Sequence, residues 1–264
     1  MRAALGIIEG YYGTPWSWPE RAATAAFLAP YGYSFYIYAP KADAFLRERW
    51  REDHPHELAK HLRMFAAHCH ELGVSFGVGL SPFEICRDFG REERGALMRK
   101  LSFFDDVGID QLAILFDDMK GDEPDLAERQ ADILHWIAER TSARKLIICP
   151  TYYSDDPILD RLFGKRPENY LNELGMRLDP SIDVFWTGEE VCSRAFSSAH
   201  LERVCNTFGR KPVLWDNYPV NDGARMSRYL HLRAFAGRPA TIADFIAGHA
   251  IIRRSSRSFR AFPR

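Results

Sequence analysis

Residues 110–141 read DQLAILFDDMKGDEPDLAERQADILHWIAERT, and they combine the two patterns that predict the fold. The first part is a short, continuous apolar run that ends at two aspartates, as in a strand buried on both faces of a parallel sheet. Over 126–141, apolar residues recur at spacings of three and four, which predicts an amphipathic helix. The segment is therefore predicted to be one strand followed by one helix.

The same pair of patterns recurs along the whole chain. Other strand-like runs are AALGIIEG (3–10), YSFYIYAP (33–40), VSFGVGLSP (74–82), KLIICPTYY (145–153), IDVFWTGEE (182–190), KPVLWDNYP (211–219) and an eighth candidate, IADFIAGHAII (242–252). Further helix-like segments occupy 19–32, 56–73 and 93–108, and each of them closes on glycine. This alternation limits the fold to a doubly wound sheet or a barrel.

The number of units and the length favour an α/β fold of the (β/α)8 TIM barrel type. No glycine-rich nucleotide motif follows the first strand, which weakens the doubly wound alternative. We expect residues 1–252 to form one barrel domain. The remaining RRSSRSFRAFPR (253–264) is basic and lacks helical spacing. The eighth helix is thus predicted to be missing or degenerate, and truncation or a frameshift is one hypothesis for this tail.

Composition narrows the class of protein. The net charge of -1, from 35 basic and 36 acidic side chains, argues against nucleic acid or a membrane surface as the main partner. The 5 cysteines include no CxxC pair, which argues against a disulfide framework or a zinc site. No apolar run is long enough to span a bilayer, and no signal-peptide pattern begins the chain, so we expect a cytoplasmic protein.

Catalytic groups of a barrel lie at the carboxyl ends of its strands. Those ends carry polar and aromatic residues in the segments EGYYGTPW, YAPK, FDD, PTYY and WDNYPVND. Carboxylates, a lysine, tyrosines, a tryptophan and an asparagine are therefore expected to converge on one rim, as in a small-molecule pocket.

Three adjacent aspartate pairs occur in the chain, and only one of them follows a predicted strand. Asp105–Asp106 closes a helix and Asp155–Asp156 lies in a loop, so both are expected to be solvated. Asp117 and Asp118 stand at a strand end, where neighbouring side chains diverge. Two such carboxylates can straddle a ligand, with pKa values separated by unequal burial. The alternative is a solvated cap on the strand.

Six segments of the chain together resemble the motifs of glycoside hydrolase family 84, in order and spacing. They are GIIEGYYGTPW, YIYAPKAD, LFDDM, CPTYY, FWTGEEV and WDNYPVND, and the resemblance runs from residue 6 to about 222. The family contains retaining β-N-acetylglucosaminidases, including protein O-GlcNAcases and bacterial enzymes historically called hyaluronidases. Its fold is a (β/α)8 barrel, which agrees with the periodicity.

The resemblance implies a substrate-assisted hydrolysis of terminal N-acetylglucosamine through an oxazoline, one of the exceptions to the two-carboxylate scheme. Asp117 would orient and deprotonate the acetamido N–H. Asp118 would protonate the leaving oxygen and then activate water. The expected partner is an N-acetylglucosamine-containing glycoside or glycoprotein, and no metal or organic cofactor is required.

The resemblance also assigns substrate-binding roles to six further positions, each with a structural alternative. Gly10 would approach a sugar hydroxyl, or serve a tight turn. Lys41 would reach the sugar, or pair with Asp43 at the surface. The remaining roles are a hydrogen bond from Tyr153, an apolar wall from Trp215 and ligand contacts from Asn217 and Asp222. The alternative for Tyr153 and Trp215 is ordinary packing at the mouth of the barrel. The alternative for Asn217 and Asp222 is turn formation.

The chain departs from the family pattern at two places. Tyr152 stands where many members have glutamate. At the end of the predicted eighth strand, Ile252 and Arg253 stand where the family usually has an Asn-Pro whose asparagine contacts the sugar. The second departure puts ligand affinity or stability in question.

Three other hypotheses compete with the β-N-acetylglucosaminidase hypothesis. A metal site could use His54, His56, His61, His68 and His70, but their spacing is that of a solvated helix face. A non-catalytic carbohydrate-binding barrel would not need the second aspartate. A chitinase-like barrel would carry a DxxDxDxE-type pattern on strand four, which LAILFDDMKGDEP does not match.

Overall fold

The computed structural model describes residues 3–218, 220 and 236–252. A closed barrel of parallel strands in sequence order forms its centre, and β1 pairs with both β2 and β8. The strands are β1 (Ala4–Ile8), β2 (Tyr33–Tyr38), β3 (Ser75–Leu80), β4 (Gln111–Leu115), β5 (Lys145–Cys149), β6 (Asp183–Trp186), β7 (Val213–Asp216) and β8 (Gly248–Ile252). Closure excludes the doubly wound sheet and confirms the predicted barrel.

Helices connect the strands on the outside of the barrel. The α-helices are α1 (Trp18–Leu28), α2 (His56–Glu71), α3 (Arg91–Val107), α4 (Leu126–Ala138), α5 (Ile158–Phe163), α6 (Tyr170–Arg177) and α7 (Ser198–Phe208). Short 3₁₀ helices lie at Ala29–Tyr31, Ala44–Leu46 and Ala240–Phe245. None of the helices in the described ranges has the length and apolar character needed to cross a bilayer.

The segment 110–141 forms the predicted strand and helix. Leu112 to Leu115 of β4 are buried at the centre of the barrel wall. Helix α4 buries Leu126, Ile133 and Ile137, and it ends at Ala138 instead of Thr141. The apolar spacing therefore located the buried face of the helix correctly, whereas its last turn was predicted too long.

Local signals explain where several helices begin and end. At α1, the Ser17 hydroxyl accepts from the Glu20 backbone N–H, and the Glu20 carboxylate accepts from the Ser17 backbone N–H, which is a complete capping box. Helix α3 ends at Gly108, whose φ of 80° lies in the left-handed region that glycine adopts without a Cβ clash.

The eighth predicted strand is only partly correct. Residues 248–252 form β8, but the preceding apolar residues Ala240–Phe245 form a 3₁₀ helix that buries Ile242. A short apolar run does not distinguish a strand from a buried helical turn, because both bury it continuously. The predictions for the tail at 253–264, including the missing helix, fall outside the described residues.

Candidate active site

A cavity of about 140 Å³ opens at the carboxyl ends of the strands. Among its lining residues are the predicted site residues Gly10, Lys41, Asp117, Asp118, Tyr153, Trp215 and Asn217. Asp222 lies outside the described residues. The barrel topology thus gathers side chains from β1, β2, β4, β5 and β7, which are far apart in sequence, around one space.

Asp117 and Asp118 extend from the end of β4 into this cavity with different surroundings. Asp117 is buried, whereas Asp118 keeps 25% of its side chain exposed. The φ of Asp118 is 64°, in the left-handed region, where aspartate is one of the few non-glycine residues found. A conformation of this kind costs on the order of 1–3 kcal/mol and is concentrated at functional sites.

Lys41 joins the two carboxylates. Its ammonium donates to Asp117 Oδ2 and, at 3.0 Å, to Asp118 Oδ2. The proposed surface pair with Asp43 is wrong, because Lys41 is buried in the cavity wall. Asp43 instead accepts from the Tyr38 hydroxyl at 2.9 Å and from the Phe45 backbone N–H at 3.0 Å.

The two carboxylates have pKa values shifted in opposite directions. Burial raises the pKa of Asp117, and Lys41 only partly offsets this effect. Burial also acts to raise the pKa of Asp118, but the Lys41 charge, the Tyr12 hydrogen bond and the Arg47 charge outweigh it, so this pKa is lowered. The pair is therefore separated as expected, yet in the opposite sense to a protonated Asp118 beside a charged Asp117.

Two buried polar atoms at the cavity have no hydrogen-bond partner among the described residues. They are Asp117 Oδ1, an acceptor, and Trp215 Nε1, a donor. Because unpaired buried polar groups are costly, such atoms point to a ligand that supplies the missing partners. A group that presents an N–H to Asp117 would satisfy the first of them.

The Trp215 side chain lies so close to the backbone at position 10 that only glycine fits there. A Cβ at this position would overlap the indole ring of Trp215. The tight-turn alternative is not supported, because Gly10 is not among the described glycines with positive φ. Trp215 itself packs edge-on against Phe185, with ring centroids 5.2 Å apart, so it is both a packed residue and a wall of the cavity.

Asn217 and Tyr153 are the remaining predicted site residues that the structure describes. The Asn217 side-chain N–H donates to the Val191 carbonyl at 2.7 Å, which ties the end of β7 to the loop after β6. Tyr153 lines the cavity, and burial together with the Asp117 charge raises the pKa of its hydroxyl, so the phenol stays protonated. The structural alternatives also hold: the Asn217 carbonyl accepts a hydrogen bond from the Val220 backbone N–H at 2.7 Å in a turn, and Tyr153 packs against the core.

Comparison with known proteins agrees with this geometry. The family model described as beta-N-acetylglucosaminidase matches residues 5–254. The chain belongs to the beta-N-acetylglucosaminidase family. The predicted resemblance to glycoside hydrolase family 84 is thereby confirmed.

Relatives in this family differ in length from the chain. The chain is 29% identical over 256 residues to the Protein O-GlcNAcase of Mus musculus and to that of Rattus norvegicus. Each match covers 94% of this chain and 27% of the relative. A solved structure of a mutant O-GlcNAc hydrolase from Thermobaculum terrenum aligns with a TM-score of 0.83 and 34% identity, over 95% of this chain and 55% of that one. The chain thus spans about a quarter of the curated relatives' length.

Several cavity residues of this family member were not predicted individually. Tyr12, Thr187, Val191 and Cys192 line the cavity, and Tyr12 donates its hydroxyl to Asp118 Oδ2. Arg47 lies 3.4 Å from the same oxygen. Tyr12, Thr187 and Val191 fall inside the motifs EGYYGTPW and FWTGEEV, so their proximity to a strand end could have predicted a place in the cavity. No feature of the sequence predicted that of Arg47.

Glu9 and Tyr152 stand at strand ends and do not face the cavity. Glu9 is completely buried and accepts two hydrogen bonds from the Arg21 guanidinium. Tyr152 is also buried, and its hydroxyl donates to the Gly164 carbonyl at 2.7 Å. The expectation that strand-end carboxylates converge on the rim is therefore wrong for Glu9, whose side chain turns toward α1, and also for Asp216, which is buried and does not line the cavity.

None of the other paired aspartates lines the cavity, although Asp156 bonds to the cavity residue Val191 and not all of them are solvated. Asp106 and Asp155 are exposed. Asp105 accepts from Ser142, and Asp156 accepts from the backbone of Ile158 and Val191. No group of three or more potential metal ligands occurs in the part of the chain that the structure describes.

Ile252, at the departure from the family pattern, lines the cavity at the end of β8. Its side chain is buried and apolar, so it offers a ligand van der Waals contact and no hydrogen bond. Arg253 lies outside the described residues.

Proposed function

We propose that this chain is a retaining exo-β-N-acetylglucosaminidase that removes terminal N-acetylglucosamine by substrate-assisted catalysis. The observation that carries the proposal is that Asp117 Oδ1 has no partner among the described residues, in a cavity that also holds Asp118 and Lys41. We include the restriction to a terminal sugar because the motifs of the chain resemble those of the family.

In the first step, the acetamido carbonyl oxygen attacks the anomeric carbon while the bond to the leaving oxygen breaks. Asp117 accepts the acetamido N–H and draws off its proton, which increases the nucleophilicity of the carbonyl oxygen. Asp118 donates a proton to the leaving oxygen. The products of this step are the oxazoline and the free alcohol.

In the second step, water adds to the anomeric carbon and opens the oxazoline. Asp118, now a carboxylate, takes a proton from that water, and Asp117 returns the proton to the acetamido nitrogen. Two inversions at one carbon give net retention of configuration. Gly10, Lys41, Tyr153, Trp215, Asn217 and Asp222 are proposed to bind the sugar.

The lowered pKa of Asp118 places a requirement on this mechanism. An acid must hold its proton when the substrate is bound, so binding must raise the pKa of Asp118. Covering its exposed side chain and displacing the Tyr12 hydroxyl would both act in that direction.

The test is hydrolysis of an aryl β-N-acetylglucosaminide by this chain, with the anomer of the first product followed by NMR. We expect β-N-acetylglucosamine first and competitive inhibition by a thiazoline analogue of the oxazoline. Binding without turnover would favour a carbohydrate-binding barrel, and the α anomer would contradict retention. Preference for long chitin chains would favour the chitinase-like alternative.

A further inference from the structure

Arg238 makes an unusually complete set of hydrogen bonds beside the cavity. Its Nε and Nη2 donate to the two oxygens of Asp216 at 2.8 and 2.7 Å, in a bidentate pair. Nη2 also donates to the Ser193 carbonyl at 2.8 Å, and Nη1 donates to the carbonyls of Arg194 and Ala236 at 2.6 and 2.8 Å. One guanidinium thus joins the loop after β6, the end of β7 and the segment before β8.

The groups that Arg238 holds lie next to cavity residues. Ser193 directly follows Val191 and Cys192, which form one wall. Asp216 directly precedes Asn217, which lines the cavity and bonds to the Val191 carbonyl at 2.7 Å. Successive residues at a strand end point to opposite sides, so Asp216 can face outward while Trp215 and Asn217 face the cavity.

The setting gives the ion pair a fixed geometry. Asp216 is completely buried and 7% of the Arg238 side chain is exposed. His249 of β8 donates to Asp216 Oδ2 at 2.9 Å, and the rings of Phe196 and Tyr218 lie about 5 Å from the guanidinium carbon. A buried bidentate arginine–carboxylate pair has one well-defined arrangement, which a lysine cannot reproduce.

We propose that Arg238 and Asp216 are positioning residues for substrate binding, which fix Asn217 and the Val191–Cys192 wall relative to each other. The expected change in KM rests on the proposed glycosidase function. The order of the Val191–Cys192 wall does not, because hydrogen exchange measures it in the protein without any ligand. Neither side chain touches the sugar in this scheme, since Arg238 is committed to Asp216 and backbone carbonyls.

The chain contains a matched control for this arginine. Arg210 also donates from all three nitrogens, to the carbonyls of Phe208, Asp179, Ile182, Gly175 and Leu178. These acceptors lie around α6 and the amino-terminal end of β6, at the opposite end of the barrel from the cavity. Replacing either arginine by lysine removes a guanidinium that binds several backbone carbonyls, which we call a clamp. Of the two clamps, only that of Arg238 is adjacent to the cavity.

The experiment compares Arg238→Lys with Arg210→Lys in KM, kcat and melting temperature, with Asp216→Asn as a second variant of the clamp. We expect Arg238→Lys to raise KM about tenfold with kcat within about twofold, because weakened ground-state binding appears in KM. Arg210→Lys should lower the melting temperature and leave KM within about twofold. Equal changes in KM for the two lysine variants would overturn the proposal.

Hydrogen exchange separates this proposal from the proposed function. Amides of residues 191–196 should exchange faster in Arg238→Lys and Asp216→Asn, and at the wild-type rate in Arg210→Lys. Unchanged exchange at 191–196 in both clamp variants would refute the positioning role. If the wild type neither hydrolyses the aryl glycoside nor binds the thiazoline, the glycosidase proposal fails while the exchange data still decide the clamp.

Discussion

Two of the buried clusters of carboxylates and cations that follow strands of this barrel lie at the ends of β1 and β4, and the hydrogen bonds within them differ. At the end of β1, both oxygens of Glu9 accept from Arg21, and the hydroxyls of Tyr36 and Tyr11 add bonds at 2.7 and 3.4 Å. At the end of β4, Asp117 and Asp118 share the single ammonium of Lys41, with Arg47 at the margin.

The difference separates a structural cluster from a candidate catalytic one. Glu9 has one matched cation and no unused oxygen, so the cluster is satisfied by the protein itself. Asp117 keeps one buried oxygen without a described partner, and Asp118 is partly open to the cavity. A carboxylate with unused acceptor capacity beside an open space is available to a ligand, and a buried carboxylate with complete partners is not.

The largest expected effect is that of Asp117→Asn. An asparagine amide cannot take the acetamido proton, so kcat/KM should fall about a thousandfold for both activated and unactivated glycosides. Lys41 keeps Asp118 as a charged partner in this variant, and burial already disfavours the charged form of Asp117, so the fold should persist. Asp106→Asn, on an exposed helix position, is the control. A loss below tenfold would remove Asp117 from the mechanism.

Glu9→Gln should have the opposite effects, a loss of stability with nearly unchanged activity. It leaves the buried Arg21 guanidinium without its charged partner, which typically costs about 3 kcal/mol or more of unfolding free energy. Urea denaturation measures this loss, and kcat/KM of the folded fraction should change by less than about threefold. If instead activity fell sharply while stability was kept, the two clusters would not differ in the way their hydrogen bonds indicate.

The sequence was sufficient for features that depend on periodicity. Apolar runs such as LAILF and amphipathic segments such as 126–141 predicted the strands, helices α1 to α4 and the barrel, whereas helices α5 to α7 were not predicted individually. The placement of Asp117 and Asp118 followed from the rule that strand ends share a rim. These inferences need only local pattern and the symmetry of the fold.

Features that depend on side-chain direction or long-range contact were not predictable. Glu9 and Asp117 both follow strands, and only the packing of Arg21 reveals that Glu9 turns away. Tyr12 and Asp118 meet across 106 positions of sequence. Arg238 likewise joins three segments through the Asp216 carboxylate and three backbone carbonyls, and backbone carbonyls leave no signal in residue identity.

Asp118→Asn should affect substrates according to their leaving groups. Without an acid, glycosides with poor leaving groups should lose about a hundredfold in kcat/KM, whereas activated aryl glycosides should lose only a few fold at the first step. Asparagine also tolerates the left-handed backbone at this position, so the fold should persist. A series of aryl glycosides of increasing leaving-group pKa measures the effect, and equal losses across the series would argue against an acid role.

The smallest expected effect is that of Tyr12→Phe, which tests the electrostatics of the second cluster. Burial acts to raise the pKa of Asp118, but Lys41, the Tyr12 hydroxyl and Arg47 together lower it. Removing the hydroxyl takes away one of these opposing contributions, so the pKa of Asp118 should rise and its acid form should persist to higher pH. The alkaline limb of kcat/KM should therefore move to higher pH, with the rate at neutral pH changed by less than about fivefold. A pH–rate profile for both proteins measures the shift. Movement to lower pH would mean that the ionisation limiting kcat/KM is not that of Asp118.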